Sequence, residues 1–128
     1  MKPNNHINIP KKKLGVLMVN LGTPEKTDYI NMWKYLREFL SDKRIIELTR
    51  ILWFPILYCI ILLVRPSKSG KLYDSIWDKK KNESPLKVLT RNVAEKLQKK
   101  YNKEKVELSF AMNYGFPRIG EELKKLKK

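Results

Sequence analysis

The sequence predicts an α/β fold built on parallel strands, and three observations carry that expectation. The short apolar run 14–19 lacks the polar alternation of a half-exposed strand and reads as a strand covered on both faces, and residues 106–112 read as a second strand. A helical pattern lies between them, with Leu86, Leu89, Val93 and Leu97 recurring every three or four residues on one face. Strands alternating with helices are the signature of a parallel sheet with crossover connections. Only two strands are legible, and two make too small a sheet to stand alone. The expectation is therefore that either the chain is incomplete or its sheet is finished by something else.

Taken in order, the first strand runs into the turn Asn20, Leu21, Gly22, Thr23, Pro24. A helix over 27–41 follows, with Ile30, Trp33, Leu36 and Leu40 at helical spacing, Phe39 beside them, and Thr27 as its predicted cap. Residues 51–64 form an uncharged apolar segment flanked by Arg50 and Arg65. It is shorter than the roughly 20 residues a spanning helix needs, and Pro55 lies inside it, so the sequence argues against a transmembrane span. A buried core segment, the lip of an apolar pocket and a membrane-surface patch remain open. The segment is expected to break at a loop or helix start over 65–70, before a short helix over 71–77 and a polar loop over 78–83. Ser84 is the natural cap of the next helix, with Pro85 in its first turn. The second strand ends in a turn, 113–117, and a closing helix covers 118–127. There is no internal repeat and no low-complexity linker.

Lys and Arg outnumber Asp and Glu by 28 to 13, a formal charge of +15 on 128 residues. That balance favours anionic partners, namely acidic lipid, nucleic acid or a carboxylate-bearing small molecule. Lysines usually form a solvated face, however, and part of the excess sits in Lys11, Lys12 and Lys13 and in the tail 124–128. No stacking stripe or DNA-reading helix accompanies the charge, which sets nucleic acid last. The single cysteine, Cys59, excludes an internal disulfide and an all-cysteine metal site, and suits a reducing cytoplasm. Residues 1–10 carry no apolar stretch behind a basic start, the pattern of a signal peptide. They read, with the next three, as a flexible N-terminal segment, with His6 exposed to solvent.

A strand followed by a glycine turn and a helix is where open α/β folds bind ligands, beyond the strand's carboxyl end. Neither a dinucleotide nor a P-loop glycine pattern is present. Arg65, at the end of the apolar run, has the chemistry to grip a carboxylate with paired, charge-assisted bonds, and a solvated boundary residue is the plainer alternative. Tyr73 and Ser84 offer hydroxyls, against the plainer roles of a half-buried ring and a helix cap. No carboxylate pair, His–Cys cluster or nucleophile–base pair emerges from the sequence.

Together these segments resemble one family. Residues 15–24 are similar to the opening strand and loop of ferrochelatases, and 35–42 to a second signature of that family. The likeness continues through 52–55, Arg65 and Pro66, 71–77, 84–86 and 112–117, in unbroken order from Leu14 onward. The long Trp-containing segment is similar to the proteobacterial, protoporphyrin-using branch. The resemblance implies a chelatase-type, Rossmann-like domain, of which 14–128 would be the N-terminal part, with the second domain absent. It implies an enzyme that inserts ferrous iron into protoporphyrin IX to give protoheme. Leu36, Phe39 and much of 51–64 would form a hydrophobic lip, Leu21 would lie against the ring face, and Arg65, Tyr73 and Ser84 would hold propionates. The family's metal-handling His and Glu match no position here, so the resemblance implies no catalytic or metal-binding residue in this chain and no activity from it alone. Ferrous iron would be a substrate, and no iron–sulfur cluster is expected. The expected partners are protoporphyrin, the remainder of the enzyme and an anionic membrane touched from the cytoplasmic side. A non-catalytic porphyrin- or heme-binding module, or a basic membrane-surface module, is the alternative.

Overall fold

The computed structural model describes residues 12–128 in the order β1 (Leu14–Gly22), α1 (Tyr29–Leu40), α2 (Arg50–Ile56), a π-helical turn (Leu57–Ile61), α3 (Leu62–Ile76), α4 (Pro85–Lys100), β2 (Val106–Tyr114) and α5 (Ile119–Leu126). His6 and most of the segment expected to be flexible lie outside the described residues. The two strands pair in parallel, from Leu14 opposite Val106 to Gly22 opposite Tyr114, so the fold is α/β with a two-stranded parallel sheet.

The helices that follow the strand pattern cover opposite faces of this sheet. On one face Asn20 Nδ2 donates to Thr90 Oγ1 of α4 at 3.0 Å, and the Arg91 guanidinium lies over the Phe110 ring. Leu126 of α5 packs against Gly15 on the other face, and Ser109 Oγ donates to the Glu122 carboxylate. Ser84 caps α4, its Oγ accepting from Lys87 N–H at 3.3 Å, with Pro85 opening the helix. Both roles follow from the unfilled N–H groups of a first turn.

Three expectations need correction. The cap of α1 is Asp28, whose carboxylate accepts from the N–H groups of Ile30 and Asn31 at 3.1 Å, and not Thr27. The buried face of α1 is Met32, Tyr35 and Leu36, while Ile30 is 63% exposed; the helix is rotated so that Tyr35, which counts as apolar through its ring, faces inward. The third correction is the largest. No loop interrupts 65–70, because Arg50–Ile76 is one continuous helix of 27 residues containing an 18-residue window of mean hydropathy 1.6. By length and composition it could cross a membrane, so the length argument against a span falls.

Two prolines inside this helix misled the sequence reading, and the structure shows how one is accommodated. Pro66 has no N–H for the Leu62 carbonyl, and the Tyr29 hydroxyl donates to that oxygen instead, at 3.0 Å. The helix lies along α1 with Leu57, Leu62, Pro66 and Gly70 buried. A Cβ at Gly70 would meet Thr27 O at 2.4 Å. The core formed there contains Met32, Leu57 and Leu62, all at 0% exposure; each stabilises by roughly 1.5–3 kcal/mol relative to an exposed side chain. Trp53 Nε1 donates to Leu40 O at 2.8 Å, satisfying a carbonyl that the end of α1 leaves free.

The predicted apolar face of α4 is not its buried face: Val88, Thr90 and Ala94 turn inward, while Leu86, Leu89 (61%) and Val93 (45%) are exposed and Leu97 is half-buried, with Val19 of β1 at 52%. Val19, Leu86, Leu89 and Val93 border the edge of β1 that β2 leaves free.

The carboxyl ends of the strands are clamped together. Gly22 has φ +128°, and a Cβ there would stand 2.0 Å from Tyr114 O; a Cβ at Gly115, φ +88°, would stand 2.5 Å from Thr23 O. Gly22→Ala therefore combines a forbidden backbone conformation with a steric overlap. We predict a loss of about 1–3 kcal/mol or more, read as a lower midpoint in urea or thermal unfolding; an unchanged midpoint would contradict the clamp.

Candidate ligand site at the strand ends

Residues of α1, the loop 42–49 and α2 stand above the carboxyl ends of β1 and β2. A groove of about 1180 Å³ opens there, lined by Thr23 and Pro24 after β1, by residues of α1 including Lys34, Tyr35 and Arg37, by Asp42, Lys43 and Arg44, by Arg50, Phe54 and Tyr58, and by Tyr114, Phe116 and Arg118. Its walls mix aromatic rings with an excess of cations. Some cations are engaged: Arg118 pairs with Glu38 at 3.0 Å, and Arg37 Nε donates to Tyr58 Oη at 3.0 Å while its guanidinium lies over Trp33. Lys34, Lys43 and Arg44 make no ion pair among the described residues. Thr23 also lines the groove, 2% exposed, with its Oγ1 buried and without a hydrogen-bond partner.

Tyr35 is the centre of an aromatic cluster. Its ring stacks on Phe39 at 6.0 Å and meets Tyr73 edge-on at 6.2 Å, and its hydroxyl donates to Gly22 O at 3.5 Å. Burial pushes the Tyr35 hydroxyl well above the usual phenol range. Phe39 meets Tyr114 edge-on at 5.1 Å, and the Tyr114 hydroxyl donates to Asp42 Oδ2 at 2.7 Å. Asp42 also accepts from Arg44 N–H at 2.8 Å, and its carbonyl accepts from Ile45 and Ile46. One carboxylate thus ties the turn that follows α1 to the end of β2. The Arg44 N–H, and then the Tyr114 hydroxyl, hold Asp42 below the usual carboxylate range. Burial first, and the bond to Asp42 second, raise Tyr114 above the usual phenol range.

The residues that the sequence singled out divide into two groups. Around Tyr35 the fold gathers Phe39, Tyr73 and the end of β1, where Leu21 is 50% exposed. Leu36 lies in the core beneath, 8% exposed, so it supports this surface and does not form it. Arg65 is exposed on α3, two helical turns from Tyr73. Ser84 is 2% exposed and engaged as the α4 cap, which leaves it no open approach to a ligand. Neither cavity described here has Arg65, Tyr73 and Ser84 in its lining. Sequence reasoning assigned no role to Tyr35, Asp42 and Tyr114. All three stand inside the motif segments 35–42 and 112–117, so the signal was position within a signature and not residue chemistry.

Asp42→Ala and Tyr114→Phe should each loosen the joint between the turn after α1 and the end of β2. Because both remove one bond, the double variant should cost less than the sum of the singles. Asp42, lowered in the native state, contributes stability above its unfolded pKa and loses it as pH falls through the lowered native value. Wild type should thus lose stability on acidification by a component that Asp42→Asn lacks, measured as unfolding midpoints from neutral pH down into the acid range; parallel curves would exclude the contribution.

The sequence profile of the ferrochelatase family matches residues 13–128. The ferrochelatase of Rhizobium etli is 48% identical over 128 residues, covering 99% of this chain and 37% of its own length. That of Chelativorans sp. is 52% identical over 118 residues, covering 91% and 33%, and that of Brucella ovis 51% identical over 115 residues, covering 89% and 33%. The chain thus spans about a third of the length of these relatives, at their N-terminal side. No solved structure matches it. With a parallel α/β sheet, a glycine-clamped strand end and nearly its whole length inside the profile, the chain belongs to the ferrochelatase family.

Proposed function

We propose that this chain supplies the porphyrin-gripping N-terminal part of an enzyme that inserts ferrous iron into protoporphyrin IX, making protoheme. The observation that carries the proposal is the aromatic cluster around Tyr35 at the carboxyl end of β1, set beneath an apolar helix. Open α/β sheets bind ligands at that end, and the family's role is heme biosynthesis. A tetrapyrrole is a flat apolar disc with acidic groups at one edge. Laying it against Leu21, Phe39 and Tyr73 would stabilise by roughly 25 cal/mol for each Å² of apolar surface removed from water. Arg65 is then the cation for a propionate, with Tyr73 as the neighbouring hydroxyl. Leu36 and Ser84 act from below, one by packing under Phe39 and the other by fixing the start of α4. The metal-handling groups belong to the remainder of the enzyme, and ferrous iron is a substrate. The proposal includes no resident cofactor and no iron–sulfur cluster.

Two surfaces would meet partners. The uncovered edge formed by Val19, Leu89 and Val93 would receive the rest of the enzyme. Since α4 and α5 lie on opposite sheet faces, the right-handed crossover rule places a parallel strand reached through α5 beside β1, over that edge. Ile51, Leu52, Ile60 and Leu63, exposed at 60–87% between Arg50 and Arg65, would rest on an anionic membrane from its cytoplasmic side.

Titration of the chain with protoporphyrin, followed by tryptophan quenching, should saturate. Arg65→Ala should weaken it about tenfold, as expected for losing a charge-assisted bond. Unchanged affinity removes Arg65 from the site, and a larger loss in Arg44→Ala moves the ligand into the groove. Mixed with the C-terminal part of a curated relative, the chain should form metalloporphyrin, detected by absorbance, while the chain alone should not. Silence of the mixture beside an active full-length control would refute the assignment.

A further inference from the structure

A second charged surface lies at the opposite end of the sheet. Parallel strands begin together, and Leu14 N–H bonds Lys105 O where they start. That end carries Lys12, Lys13, Lys103 and Lys105, joined by Lys99 and Lys100 from the last turn of α4. The α5 terminus adds Lys127 and Lys128, since Leu126 packs on Gly15. All eight are exposed, and among the described residues only Glu104 and Glu107 oppose them there. Among the described residues, Lys13 alone of the eight is ion-paired, with Glu107 at 2.5 Å.

Two simpler accounts fall short. Lysines in a last helical turn stabilise the negative end of the helix dipole, which explains Lys99 and Lys100 but not Lys12, Lys13, Lys103 and Lys105 at the strand starts. Nor does this charge serve the ligand site. Nine residues of strand separate the two ends by about 30 Å, several times the screening length of about 8 Å at physiological salt. A carboxylate at the Tyr35 cluster would not feel it.

We infer that this lysine pole is a docking surface for an acidic protein. A membrane is the weaker occupant, because the apolar helix is at the other end. With a bilayer seated there, as proposed above, the pole faces the aqueous phase; preferring protein to lipid rests on that placement. Nucleic acid is weaker too: among the described residues Tyr101, 53% exposed, is the one aromatic on the pole, and no Arg fork accompanies it.

The test uses the 128-residue chain and three probes: poly-L-glutamate, phosphatidylserine-containing vesicles and a single-stranded RNA. The pole variant is Lys99→Glu, Lys100→Glu, Lys103→Glu and Lys105→Glu. A control of equal charge change is Lys68→Glu, Lys71→Glu, Lys80→Glu and Lys81→Glu, also exposed and unpaired among the described residues. Polyglutamate binding should saturate, weaken with salt, and fall at least about tenfold in the pole variant, as for lost electrostatic steering, while the control stays near wild type. Equal loss in both variants would reduce the effect to net charge and overturn the inference. So would absence of saturable polyglutamate binding, or tighter binding of vesicles or RNA through the same four lysines. Should circular dichroism show the Glu variant unfolded, the matching Lys→Gln set gives the same readout. Protoporphyrin affinity, measured in parallel, should be unchanged in the pole variant, which separates failure of the pole from failure of the ligand site.

Discussion

The backbone crossing between the ends of β1 and β2 is the constraint on which the rest depends. Thr23 N–H bonds Tyr114 O at 3.3 Å, and Gly22 and Gly115 each lie where a side chain would strike the opposite backbone. With the strand ends held this close, Tyr35 reaches Gly22 O from above and Tyr114 presents its ring to Phe39 and its hydroxyl to Asp42. The aromatic cluster and the turn that follows α1 are therefore referenced to one point. Side chains larger than hydrogen at those two glycines would move the floor of the site before they touched any ligand.

Sheet and site were legible to different degrees, for physical reasons. Both strands and α4 were readable because apolar runs and three-four spacing are local signals. The Arg50–Ile76 helix was misread as several pieces because proline usually ends a helix. What keeps it continuous is the Tyr29 hydroxyl, 33 residues away from Leu62 in sequence, filling the acceptor that Pro66 leaves open. Such a rescue is invisible to any window along the chain. Asp28 displaced Thr27 as cap by one residue, the ordinary uncertainty of a helix boundary.

Site residues illustrate a sharper limit. Ser84 had two readings, cap and ligand contact, and its geometry is that of a cap. Leu36 had the right chemistry for a lip but lies in the core. Tyr35 and Tyr114, with no special chemistry in sequence, became central because distant elements converge on them. Periodicity tells which residues share a face of one element; it does not tell which faces of different elements meet.

Apolar and charged surfaces are sorted by the direction of the strands. Carboxyl ends of strands carry the aromatic cluster, the cation-lined groove and the exposed helix face. Amino ends collect lysines, of which Lys99 and Lys100 suit the negative end of the α4 dipole and the rest stand at the strand starts and the chain's last described residues. The flank carries a third surface, where the apolar face of α4 and Val19 stand open beside the free edge of β1. With α4 and α5 on opposite faces, a further parallel strand reached through α5 would lie beside β1 by the right-handed rule, and the end of β1 would then be a topological switch point. An open edge and a crevice at the strand tips would thus share one cause: a strand added beside β1 would complete the core along its side and build a second wall above its tip.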